Sequence, residues 1–200
     1  MENELEEHFK IGFYTATILE WKNLLRPDKY KQIVINSLRF LSKERRVRIY
    51  GFVIMPNHLH LLWRIERPWR LAMVQRDFMK YTGQMIKFDL EQNHPRVLEQ
   101  FYVGAKDRTY QFWERNSLTK YLSSREIVEQ KLDYIHNNPV QGKWMLSQDP
   151  LNYQYSSARF YENEDKEFEF LTHYMECVGQ KECELSRLLV KTPTTGRNVF

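Results

Sequence analysis

Residues 47–65 run Val-Arg-Ile-Tyr-Gly-Phe-Val-Ile-Met-Pro-Asn-His-Leu-His-Leu-Leu-Trp-Arg-Ile, and this stretch restricts the fold more than any other. Val47–Met55 alternates too weakly for a half-solvated strand and reads as a strand buried on both faces. Pro56-Asn57 supplies a turn. His58–Ile65 then alternates cleanly, with Leu59, Leu61, Trp63 and Ile65 on one face and His58, His60, Leu62 and Arg64 on the other. The pair is expected to sit inside a sheet, with its histidines turned away from the aliphatic core.

The flanking segments fit this frame. Phe9–Leu19 is aromatic and β-branched and predicts a strand. Pro27-Asp28 opens a helix to about Glu44, with Ile33, Ser37, Leu38 and Leu41 at helical spacing. After Pro68 a second helix is predicted from Trp69 to about Glu91, with Leu71, Val74, Phe78, Met85 and Leu90 as core contacts, followed by a loop holding Pro95. Tyr110–Glu114 is expected as a fourth strand, and Ser123 or Ser124 caps a helix that Pro139 ends after Asn137. Tyr155–Tyr161 reads as a short extra element. Strand, helix, strand, strand, helix, strand is the ferredoxin-like βαββαβ order, an α+β class with an antiparallel sheet, to which a further helix is added. That helix can approach the histidine face.

A chain of 200 residues, 42% hydrophobic, can bury one core, so one main domain is expected over residues 1–161. Residues 162–200 read as an acidic linker and a partly helical tail. From Glu162 onward eight acidic residues face five basic ones, which leaves +7 on residues 1–161 against +4 for the whole chain. A basic body of this kind is compatible with nucleic acid. Met1–Lys10 carries four glutamates and no secretory pattern, and no apolar run nears the roughly 20 residues that span a bilayer. A cytoplasmic protein without membrane contact is the expectation, with Cys177 and Cys183 as free thiols.

Two features carry chemistry. His58 and His60 at i and i+2 on a strand project side by side, so both imidazoles can reach one cation. On the helix ending at Asn137, Lys131, Tyr134 and Asn138 share one face, while Ile127, Val128, Leu132 and Ile135 form an apolar stripe. Alone, each pattern is as well explained by hydrogen-bonded histidines or by a boundary tyrosine.

Together they resemble the REP-associated tyrosine transposases of the His-hydrophobic-His endonuclease superfamily, relatives of the small insertion-sequence transposases with one tyrosine. The matching residues are Gly51-Phe52-Val53-Ile54-Met55-Pro56-Asn57-His58-Leu59-His60-Leu61-Leu62, Phe112-Trp113-Glu114-Arg115 and Asp133-Tyr134-Ile135-His136-Asn137-Asn138-Pro139-Val140-Gln141-Gly142, with Phe13–Thr17 similar to the first strand. The resemblance covers about residues 9–161. It implies cleavage and rejoining of single-stranded or hairpin DNA through a 5′-phosphotyrosine link. Tyr134 would be the nucleophile and His58, His60 and Asn138 the ligands of Mg²⁺ or Mn²⁺. A phenol ionises at about pH 10, so a nearby cation or base must help it, and Lys131 on the same helix face and the metal itself are the candidates. Family members often read Pro-Val-Lys-His-Gly where this chain has Pro139-Val140-Gln141-Gly142-Lys143, so the resemblance does not specify the DNA target.

Lys43, Arg45, Arg46 and Arg48 form a basic cluster suited either to a solvated turn or to the phosphates of a hairpin stem. Trp69, Trp113 and Trp144 are candidates for base stacking against a core role. The competing functions are a non-catalytic nucleic-acid binder and a metal-dependent phosphodiesterase that uses water. Monomer and homodimer, with the tyrosine acting within its own chain or exchanged, both remain open on the sequence.

Overall fold

The computed structural model describes residues 10–176. Four strands, β1 (Gly12–Thr17), β2 (Val47–Ile54), β3 (His58–Ile65) and β6 (Leu118–Tyr121), form one antiparallel sheet in the order β2-β3-β1-β6. Two further short strands, β4 (Tyr102–Ala105) and β5 (Arg108–Tyr110), make a separate hairpin. The main sheet is the ferredoxin-like arrangement expected from the element order.

Two helices, α1 (Asp28–Lys43) and α2 (Leu71–Asn93), pack together under one face. The alternation of β3 decides which face: Leu59, Leu61, Trp63 and Ile65 lie in one cluster with Val34, Leu38 and Leu41 of α1 and Val74, Phe78 and Ile86 of α2. A third long helix, α4 (Arg125–Asn137), lies on the opposite face against β2 and β3. Ser124 caps it by accepting from the Ile127 amide, and Glu126 sits in its positive first turn. Its stripe of Val128, Leu132 and Ile135 packs with Tyr50, Val53 and Leu62. Burying each of those aliphatic side chains stabilises the seating by about 1.5–3 kcal/mol.

Gly51 makes that seating close. A β-bulge shifts the β2–β3 register between Ile49 and Gly51. A Cβ placed on Gly51 would stand 2.7 Å from Leu132 Cδ2, 3.1 Å from Ile135 Cδ1 and 3.3 Å from Ser157 Oγ. The open edge of β2 is covered by later chain: the amides of Ile54 and Ser157 bond to the carbonyls of Tyr155 and Phe52, and the Thr172 amide to Ile49. Beyond Glu162, Phe168, Phe170 and Leu171 join the main core, with Phe168 edge-on to Phe52 at 4.9 Å.

Several local expectations are corrected. The fourth strand of the sheet is Leu118–Tyr121 rather than Tyr110–Glu114. Tyr110 ends β5, while Phe112 and Trp113 turn inward and Trp113 Nε1 donates to Thr82 Oγ1 of α2. Large apolar side chains there serve the core instead of a pleat, and the true edge strand, Leu-Thr-Lys-Tyr, is half-exposed and lacks an apolar signature. Pro95 opens a short helix, α3 (Pro95–Glu99), because the first helical position needs no amide donor. Met85 is exposed and Ile86 takes the core position. Ser156 bridges Val53 ahead of α5 (Ala158–Asn163). Cys177, Cys183 and the expected helical tail lie outside the described residues.

Candidate functional site

His58 and His60 occupy the open face of β3 near its start, each almost fully buried, with ring centroids 4.9 Å apart. The antiparallel register sets Thr17 beside His58 and Thr15 beside His60 on β1. Thr15 Oγ1 lies 2.9 Å from His60 Nδ1, and Phe13 stacks on the His60 ring at 5.1 Å. Asn57 holds the other histidine. Its Nδ2 donates to the Trp21 carbonyl, so its Oδ1 is the acceptor for His58 Nδ1–H at 2.7 Å. A neutral His58 that donates from Nδ1 leaves Nε2 unprotonated and turned toward Asn138, the tautomer a metal ligand needs.

The charges point the same way. Desolvation by burial lowers His58 to about 4, against a partly compensating hydrogen bond with the Asn138 side chain. Burial, then the neighbouring His58 and Lys131, lower His60 to about 3. Both rings are thus neutral at physiological pH. His60 Nε2 is buried and has no hydrogen-bond partner, an arrangement that ordinarily costs about 1–3 kcal/mol. With the His60 proton on Nδ1 and donated to Thr15 Oγ1, Nε2 would present a lone pair suited to a cation. Among the described residues no third His, Cys, Asp or Glu completes a cluster, and the Asn138 side chain, hydrogen-bonded to His58, is a further donor beside the pair. Two neutral nitrogens and an amide oxygen fit a divalent ion that also takes phosphate oxygens.

Helix α4 carries Tyr134 to this face. The Tyr134 ring is half-exposed, 5.4 Å from the His60 ring and 6.1 Å edge-on to Phe13, all within one chain. Lys131, one turn earlier, sets its Nζ 5.3 Å from the Tyr134 ring centre and 5.1 Å from that of Phe13. Helical spacing puts Lys131, Tyr134 and Asn138 on the side that meets β3, and Pro139 stops the helix in a short turn at Asn138–Val140. His136, on another side, bonds through Nε2 to buried Ser157 Oγ, tying α4 to the edge of β2.

The basic cluster is elsewhere. Val47 pairs with Ile65 at the far end of β3, about 23 Å from His58 at roughly 3.3 Å per residue. Lys43 and Arg45 are exposed there, whereas Arg46 pairs with Asp77 and stacks on Trp69, and Arg48 pairs with Glu66. Trp113 is a core residue, but Trp144 lies 5.9 Å from the His58 ring. Trp21, Thr15 and Asn57 are the neighbours that sequence reading missed; only Asn57, beside His58, carried a local signal.

An antiparallel ferredoxin-like sheet thus bears the histidine pair on the face that helix α4 and Tyr134 cross. No family model matches the chain, and no curated protein matches it. Among solved structures it is similar to a REP-associated tyrosine transposase bound to a REP hairpin, with a TM-score of 0.56 and 18% identity over 76% of this chain and 78% of that one. It is also similar to a candidate transposase from Deinococcus radiodurans, with a TM-score of 0.43 and 13% identity over 64% and 90% of the two chains. The chain has the fold of a REP-associated tyrosine transposase.

Proposed function

We propose that this protein is a single-strand DNA transposase that cleaves and rejoins DNA beside hairpins through Tyr134. The observation that carries the reading is the Tyr134 ring 5.4 Å from His60, whose buried Nε2 has no protein partner. The solved relative bound to a REP hairpin shares the fold, which supports DNA as the substrate class.

In this reading Tyr134 Oη attacks the scissile phosphorus, the bond to the 3′ oxygen breaks, and that oxygen leaves as a 3′-hydroxyl after taking a proton. The protein keeps the 5′ phosphate as a tyrosyl ester. Because the ester retains the bond energy, a 3′-hydroxyl can attack it and restore a DNA strand without an external energy source. Lys131 stabilises the developing phenolate from its place above the ring. His58, His60 and Asn138 would hold Mg²⁺ or Mn²⁺, which when bound polarises the phosphate and orients it for in-line attack. Thr15 and Asn57 hold the two imidazoles with Nε2 available. Lys43 and Arg45, exposed beyond the end of β3 opposite to His58, meet the phosphates of a hairpin stem laid along the sheet. Tyr134 acts within its own chain.

The test is a hairpin oligonucleotide with a single-stranded flank, incubated with Mg²⁺ or Mn²⁺ and resolved under denaturing conditions. A covalent protein–DNA adduct is expected, absent in Tyr134→Phe and absent when a complement anneals to the flank. Cleavage without any adduct would instead indicate a phosphodiesterase that uses water. Equal cutting of single-stranded and annealed flanks would sink the single-strand reading.

A further inference from the structure

Two tryptophans stand beside His58, and the proposed chemistry does not use either. Trp21 follows β1 and is 61% exposed, yet its ring lies 6.0 Å from the His58 ring. Trp144, half-buried in the turn after α4, lies 5.9 Å from the same ring with Lys143 Nζ over it at 5.3 Å. A tryptophan left in water forgoes a large burial gain, so its place calls for a cause.

The backbone around both is strained. Among the described residues five non-glycine positions have positive φ, and three of them, Glu20 at 54°, Trp21 at 56° and Met145 at 40°, belong to these two turns. Each L-residue in that region costs about 1–2 kcal/mol, and such strain gathers where geometry serves a ligand. The first turn is held in place: Glu114 Oε1 accepts from the Glu20 amide, and the Trp21 carbonyl accepts from Asn57, which also orients His58. Any shift of Trp21 is thereby linked to His58. Gly142, at φ 61° with open space around it, gives the second turn its reversal before Trp144.

We infer that Trp21 and Trp144 form a base-stacking clamp for the unpaired nucleobases next to the phosphate presented to His58 and Tyr134. This rests on the single-strand reading above. An unpaired base has two bare aromatic faces and stacks on indole whatever its identity, whereas a paired base in a duplex offers none. The clamp therefore favours an unpaired flank over an annealed one, and Lys143 supplies a positive charge for the adjoining phosphate.

The experiment measures affinity of the full chain, in chelator so that no cleavage occurs, for two hairpins that differ only in the flank. One carries natural nucleotides and the other abasic sugars with all phosphates retained. Wild type is expected to bind the abasic flank roughly 5- to 150-fold more weakly for each base stacked. Trp21→Ala and Trp144→Ala should lose a similar factor on the natural flank and much of the abasic penalty, and Trp21→Phe should keep both. Equal wild-type affinity for the two flanks, or alanine variants that retain the full penalty, overturns the clamp. If wild type also forms the Tyr134 adduct, the transposase reading survives that failure; if wild type binds neither hairpin, both fall.

Discussion

Gly51→Ala is a one-methyl change that should disable the site without touching it. The new Cβ would lie 2.7 Å from Leu132 Cδ2, where ordinary carbon contacts begin near 3.4 Å, and Ile135 and Ser157 crowd the same spot. Leu132 and Ile135 are both buried, so the leucine has little room to swing, and relieving the clash by moving the helix takes a rise of roughly 0.7 Å in α4. Overpacking of this kind costs about 1–3 kcal/mol, or roughly 2–12 °C in midpoint for a chain of this size. Because Tyr134 rides on the displaced helix, adduct formation should fall by about tenfold to a hundredfold, the loss expected for a misplacement near 1 Å. Affinity for the hairpin should change little. Single-turnover adduct formation, binding and thermal melting separate the effects. Leu132→Val, which removes the offending Cδ2, should restore much of the rate when combined with Gly51→Ala. A Gly51→Ala protein that forms adduct at the wild-type rate would refute the claim that the close seating of α4 positions the tyrosine.

Other outcomes follow from the same geometry. His60→Ala should lose adduct formation and regain part of it in excess Mn²⁺; full wild-type activity in chelator would remove the metal from the mechanism. Thr15→Val, which deletes only the hydroxyl beside His60 Nδ1, should weaken divalent-ion affinity by about 10–100-fold, measured by calorimetry without DNA. Mixing Tyr134→Phe with His60→Ala should yield no adduct, because the ring pair lies within one chain, and recovery on mixing would show that α4 is exchanged between copies. Stability of chelator-treated protein should depend on acid. Burial lowers His58 and His136 to about 4 and His60 to about 3, from 6.5, so below pH 6.5 the unfolded chain takes up protons that the folded chain refuses. The midpoint should therefore fall as pH drops from about 6.5 toward 4, and a level midpoint across that window would contradict the buried neutral rings.

Local periodicity already determined much of this site. Alternation along His58–Ile65 set both histidines opposite the aliphatic face, and helical spacing put Lys131 and Tyr134 side by side on α4, because both patterns follow from backbone geometry alone. What stands next to them was decided by tertiary structure. Thr15 meets His60 only through the β1–β3 register, Trp21 reaches His58 only through a strained turn held by Asn57, and Gly51 matters only because α4 lies over it. The edge strand Leu118–Tyr121 and the distance of Arg45 from His58 were likewise hidden, since backbone pairing can be made by almost any side chain and leaves no mark in composition. A chain writes the period of each element into its own residues, but contacts between elements depend on hydrogen bonds and packing that no single segment contains.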